Sequence, residues 1–175
     1  MAKLEREALR HYLDTKFNTK VADAEKAEFE AIGDDIEEMS VELNSDTEQI
    51  KNILGQTKTK DNGYTPSMEA DPFYADPDKK LYPKLRDIAM DRIKGDGCKT
   101  LLLEVIVEDT EAANHLAWLR EVMVKPQSYG GGTEGFAIPF TVSEDGASQK
   151  GYVSAASIKS GNPTFTEGAI PGVGG

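Results

Sequence analysis

Leu101, Leu102 and Leu103 are followed by Val105, Ile106 and Val107. This run is too short to cross a bilayer and is rich in β-branched residues. It reads as a central strand over Lys99–Glu108, buried on both faces. A chain holding such a strand is organised around a sheet, and the flanking segments supply more strands. From Asp35 the apolar period is two, with Met39, Val41 and Leu43 on one face and Glu38, Ser40 and Glu42 on the other. That is the pattern of a half-buried strand.

Turn chemistry punctuates the chain after this strand. Asn44-Ser45-Asp46 is a turn signal, and Thr47–Leu54 reads as the returning strand. Gly55 permits a bend, and Gln56–Lys60 alternates as an exposed strand would. Asn62-Gly63 is the strongest hairpin turn in the chain. Tyr64–Ala70 comes next as a strand in which Pro66 marks an edge or bulge. Asp76-Pro77-Asp78 predicts a helix start, with Asp76 as cap, and Lys94-Gly95 a helix end. Leu81, Leu85, Ile88 and Ala89 recur at helical spacing between them, so a helix is expected over 78–94. Trp118–Val124, Phe136–Val142, Gly151–Ala155 and Thr164–Thr166 read as further strands, although Glu111–Arg120 alone could pass as a helix. Trp118 is expected in the core. Near the start, Leu4, Ala8, Leu9, Tyr12 and Leu13 follow helical spacing, which suits a short amphipathic helix or a docking arm.

About eight strands and one helix result. The expected fold is mainly β (α+β): a two-sheet β-sandwich or barrel with one flanking α-helix and extended arms. It divides into an N-terminal arm and entry segment at 1–34, a β domain at 35–167, and a glycine-rich tail at 168–175, expected to be mobile unless a partner orders it.

Charge narrows the function. The net charge is −11, and residues 21–50 hold eleven acids against one cation, Lys26. Nucleic-acid grooves neutralise phosphates with Lys and Arg, so ordinary DNA or RNA binding is disfavoured. Cys98 is the lone cysteine, which rules out an intrachain disulfide and a cysteine metal cluster. No apolar leader or membrane span is expected.

The catalytic signatures fail one by one. Gly95-Asp96-Gly97-Cys98-Lys99-Thr100 has Cys98 where a phosphate-binding loop needs glycine, and lies between helix and strand in the wrong order. Gly146-Ala147-Ser148-Gln149-Lys150 ends in lysine where a nucleophile elbow needs glycine. Asp71, Asp76 and Asp78 lack the spacing of a calcium loop. His11 and His115 belong to no zinc pattern. Glu38 and Glu42 share one strand, whereas glycosidase carboxylates flank a cleft. No enzyme, cofactor or metal is expected.

Several segments resemble, in order, the major tail (tail-tube) proteins of long, non-contractile bacteriophage tails. They are Met1-Ala2-Lys3-Leu4-Glu5-Arg6, the strand Ile36–Leu43, Lys51-Asn52-Ile53-Leu54-Gly55, and Asp71-Pro72-Phe73-Tyr74-Ala75-Asp76. Gly95–Thr100 comes next, then Gln127-Ser128-Tyr129-Gly130-Gly131 through Gly135 to Ile138-Pro139-Phe140. The resemblance implies a structural virion protein made in the bacterial host cytoplasm and ending in the virion tail. Six copies would form a ring, and rings would stack into a tube conducting DNA without binding it specifically. Tail tip, tape measure and tail terminator proteins would be the other partners, with no membrane insertion and no cofactor. An acidic bore would let phosphates slide. On that reading Glu38, Ser40 and Glu42 are candidates for facing the lumen. Alternatives are the inner tube of a contractile tail or phage-derived injection device and, in another class, a soluble β-sandwich binding module, for example for carbohydrate.

Overall fold

The apolar run at 101–107 lies in the middle of a sheet. The computed structural model describes residues Lys3–Gly172. The strands are β1 (Leu9–Asp14), β2 (Phe29–Ile32), β3 (Val41–Glu42), β4 (Thr47–Lys51), β5 (Thr57–Asp61), β6 (Ser67–Ala70), β7 (Lys99–Ile106), β8 (Asn114–Pro126), β9 (Phe140–Ser154) and β10 (Phe165–Glu167). Two α-helices join them, α1 (Leu81–Met90) and α2 (Ala155–Lys159). The fold is mainly β, as expected. One curled, half-barrel sheet runs in the order β2-β1-β7-β8-β9-β6-β3, with β10 also paired to β9. The hairpin β4–β5 is a second small sheet.

Alternation along β7 builds a core on each face of the large sheet. Leu101, Leu103 and Val105 pack with Tyr12, Phe29, Ala117, Leu119 and Val153; the 3-10 turn Val21–Lys26, α2 and β10 contribute Val21, Ala24, Ile158 and Phe165. Leu102 points the other way, into a core with Leu13, Phe73, Val122, Val124, Ile138 and Phe140, covered by Leu81, Leu85 and Ala89 of α1. Each fully buried aliphatic side chain contributes roughly 1.5–3 kcal/mol of transfer free energy.

The two cores sit over different halves of β8, and Glu121 marks the crossover. The β8–β9 register shifts between Arg120 and Val122, so Asp145, Gly146 and Ala147 of β9 have no ladder partner on β8. The Glu121 carboxylate takes over, accepting hydrogen bonds from the amides of Ala147 (3.1 Å) and Val21 (3.0 Å). A carboxylate with two amide donors lets the ladder break without stranding them.

Several expectations give way. Leu9–Asp14 is a strand between β2 and β7, not part of a helix. Only Arg6–Ala8 turns helically, as a 3-10 turn. Tyr12 and Leu13 therefore serve opposite cores. Thr47–Leu54 does not return beside residues 36–43: β4 pairs with β5. Its turn is Asn52–Gln56, where Asn52 Oδ1 accepts from the amides of Leu54 and Gln56. Asn62-Gly63 instead closes the hairpin base through backbone bonds to Asp46. Phe136–Val142 and Gly151–Ala155 do not form two strands; the end of the first and most of the second lie within the single long β9. Helix α1 is shorter than 78–94. Its first amides are capped by Glu30 of β2, which accepts from Lys80 and Leu81, while Asp76 binds the amide of Asp78. The helix ends at Met90 with Asp91 as its C-cap; Arg92 beyond it is left-handed (φ 53°) and the Ile93 amide bonds Ile88 O, the pattern of a Schellman stop before Gly95 is reached. Trp118 is half-buried, not core, with Lys150 Nζ 5.7 Å from its ring centroid.

Candidate assembly interface

Glu38, Ser40 and Glu42 are all exposed, with Met39 buried between the first two. The strand expected over this stretch survives only as Val41–Glu42, paired with Ser67 and Met68 of β6. One reason is local: Arg6 Nη2 donates to the Met39 carbonyl at 3.0 Å, so a side chain occupies an acceptor that a ladder would use. Leu43, which continues the apolar face, is 55% exposed.

The sheet ends in short edges. β2 has four residues and β3 two, and each has a sheet neighbour on one side. Beyond them stands the hairpin, exposed along both strands. Its apolar residues increase toward the tip: Ile50 is 50% exposed, Leu54 77% and Ile53 103%. Apolar side chains presented this way are docking elements or liabilities.

The segments Asp71–Asp76 and Gln127–Phe140, far apart in sequence, meet. Tyr74 and Gly130 each bridge Ala137, Ile138 N donates to Phe73 O, and Ala75 N to Phe136 O. Gly131 (φ 129°) is required here, since a Cβ would lie 2.4 Å from Gly135 O.

A polar network that spacing could not reveal lies across β1, β7, β8 and β9. Glu104 accepts from Arg120 Nε at 2.5 Å and is 3.1 Å from His11 Nε2, and Arg120 is 3.4 Å from Glu144. Burial alone would raise the Glu104 pKa, but the hydrogen bonds from His11 and Arg120 outweigh it and the net shift is downward. Glu144 is shifted up by burial, against the lowering effect of Arg120 and with a smaller push from Glu104. The only hint in sequence is Glu104 interrupting an apolar run.

Lys99, in the loop that resembled a phosphate cradle, is held by Asp145 (3.2 Å) and Asp96 (3.3 Å). Those hydrogen bonds raise its pKa. Among the described residues no group of three or more His, Cys, Asp or Glu could hold a metal, and no helix is long and apolar enough to cross a membrane.

No protein-family model matches the chain, and no curated protein matches it. Among solved structures it is similar to a chain of the tail of an empty GTA particle (a gene transfer agent), refined with C6 symmetry. The TM-score is 0.51 at 14% identity, over 84% of this chain and 98% of that one. The chain therefore has a fold resembling that of a phage-like tail protein.

Proposed function

We propose that this chain is a tube-forming tail subunit: six copies close a ring, rings stack, and DNA passes down the bore from capsid to host. The observation that carries the reading is the fold likeness to a C6-symmetric tail, which spans nearly all of that chain. Two short sheet edges and a solvent-exposed apolar hairpin support it, because ring closure and stacking give such features partners. A long non-contractile tail, with tip, tape measure and terminator proteins as further partners, is the form the sequence resemblance favours.

Glu38, Ser40 and Glu42 belong to the bore in this proposal. Their exposure and the −11 charge of the chain suit a wall that repels phosphates in a wet, screened channel. The test of assembly is negative-stain microscopy and sedimentation of the concentrated protein, with and without a tail-tip initiator. Hexameric rings or tubes of uniform width are expected. Monomer under every condition would remove the reading.

A further inference from the structure

The hairpin tip and a cavity beside β1 are complementary. The cavity is a notch of about 650 Å³ beside the N-terminal part of β1. It opens where β2 stops: β1 pairs with β2 from His11 onward, whereas Leu9 and Arg10 have only β7 beside them. Ile32, Ile36 and Met39 give it an apolar lining, and Glu5, Glu7, Asp34 and Glu37 an acidic one. Arg6 and Arg10 also line it, donating to backbone carbonyls of Leu9, Met39 and Glu7, and Asp34 is already paired with Lys79 at 3.1 Å, so Glu5, Glu7 and Glu37 outnumber the lining arginines by one. His11, 2% exposed, lines the notch too, and its Nδ1 has no hydrogen-bond partner among the described residues.

The tip has the opposite character. Ile53 and Leu54 project from the Asn52–Gln56 turn, and Lys51 and Lys58 stand just behind them. Lys60 is paired with Glu48, but neither Lys51 nor Lys58 has a carboxylate partner among the described residues.

We infer that the Ile53–Leu54 tip of one copy seats in the β1–β2 notch of a second copy, with Lys51 and Lys58 meeting the acidic lining. Tip and notch are different surfaces, so the contact is heterologous: each copy offers one of each, and the contact propagates. This rests on the self-assembly proposed above and assigns two of the surfaces that make it.

Cysteine pairing tests the contact. Leu54→Cys and Glu37→Cys chains, mixed and mildly oxidised, are expected to give a disulfide-linked dimer. The chain carrying both should give a ladder, and Leu54→Cys mixed with Thr166→Cys should give neither. In parallel, Ile53→Asp/Leu54→Asp should keep the monomer's circular dichroism and raise the concentration needed for assembly at least about tenfold, a loss of about 1.4 kcal/mol per contact. Tubes that form unchanged from the double aspartate variant, or crosslinks no stronger than the Thr166 control in an assembling protein, overturn this contact and leave the tube reading standing. A wild-type chain that never assembles overturns both.

Discussion

Asp14 is fully buried, and its carboxylate accepts hydrogen bonds from the amides of Lys16, Asn18 and Glu28 and from the Asn18 side chain. It ties the end of β1 to the entry of β2, and neither strand was legible as such. Helical spacing of Leu9, Tyr12 and Leu13 also fits a strand that buries both faces, and the bond to Glu28 lies fourteen residues on. Asp14→Ala leaves several donors unpaired at once, each costing about 1–3 kcal/mol before relaxation. The expected loss is on the order of 3 kcal/mol in urea unfolding, with Asp14→Asn milder. Glu104 supplies a pH test. Its folded pKa is depressed, so its stabilising contribution is present above the unfolded carboxylate pKa and is lost as pH falls through the folded one. The gap in melting temperature between wild type and Glu104→Gln should therefore be widest near neutrality and shrink as pH drops below about 4. A gap that stays constant with pH would mean that the His11 and Arg120 partners do not favour the ionised form.

At the scale of elements, α1 shows which local signals suffice. Its apolar spacing placed Leu81, Leu85, Ile88 and Ala89 correctly, and all four are buried. Its boundaries were misread because the cap comes from Glu30, fifty positions before Lys80, and no local motif records it. Leu85→Ala should cost roughly 2–5 kcal/mol as a core truncation. Glu30→Ala should cost about 1 kcal/mol, and Asp76→Ala less, because Glu30 holds the first helical amides. The reverse order in denaturant unfolding would restore Asp76 as the cap. β10 depends on a glycine: a Cβ on Gly151 would fall 2.0 Å from Thr166 O and 2.7 Å from the Phe165 ring. Gly151→Ala should displace β10 from β9, exposing amides of residues 165–167 to hydrogen exchange and costing roughly 1–3 kcal/mol.

At the scale of the whole molecule, strand content was legible and sheet order was not. The run at 101–107 indicates a strand needing cover on both faces, but nothing local says that β1 lies beside it or that β4 and β5 leave the sheet. The first outcome depends on pairings as remote as Leu9 with Ile106, and the second on a hairpin that pairs only with itself. Charge is legible at this scale, and it leads to the remaining prediction. In the proposed ring, six chains of −11 each would repel one another, so its stability would have to come from apolar and backbone contacts, with the acids placed where water screens them. If Glu38 and Glu42 line the bore, Glu38→Lys/Glu42→Lys should still build tubes, since both side chains are exposed, Glu38 lies outside any strand, and Lys is tolerated at Glu42 on a short edge strand. DNA passage should suffer instead, because two cations on every subunit would attract passing phosphates. Each such attraction is only about 1 kcal/mol in bulk water at ~4 Å, but it recurs at every ring. Ejection from particles carrying the variant should be slow in low salt and recover as salt is raised, since screening shortens the range. Ejection at the wild-type rate in low salt would place these residues on the outer wall, and the acidic lining of the bore would have to be sought on another strand face.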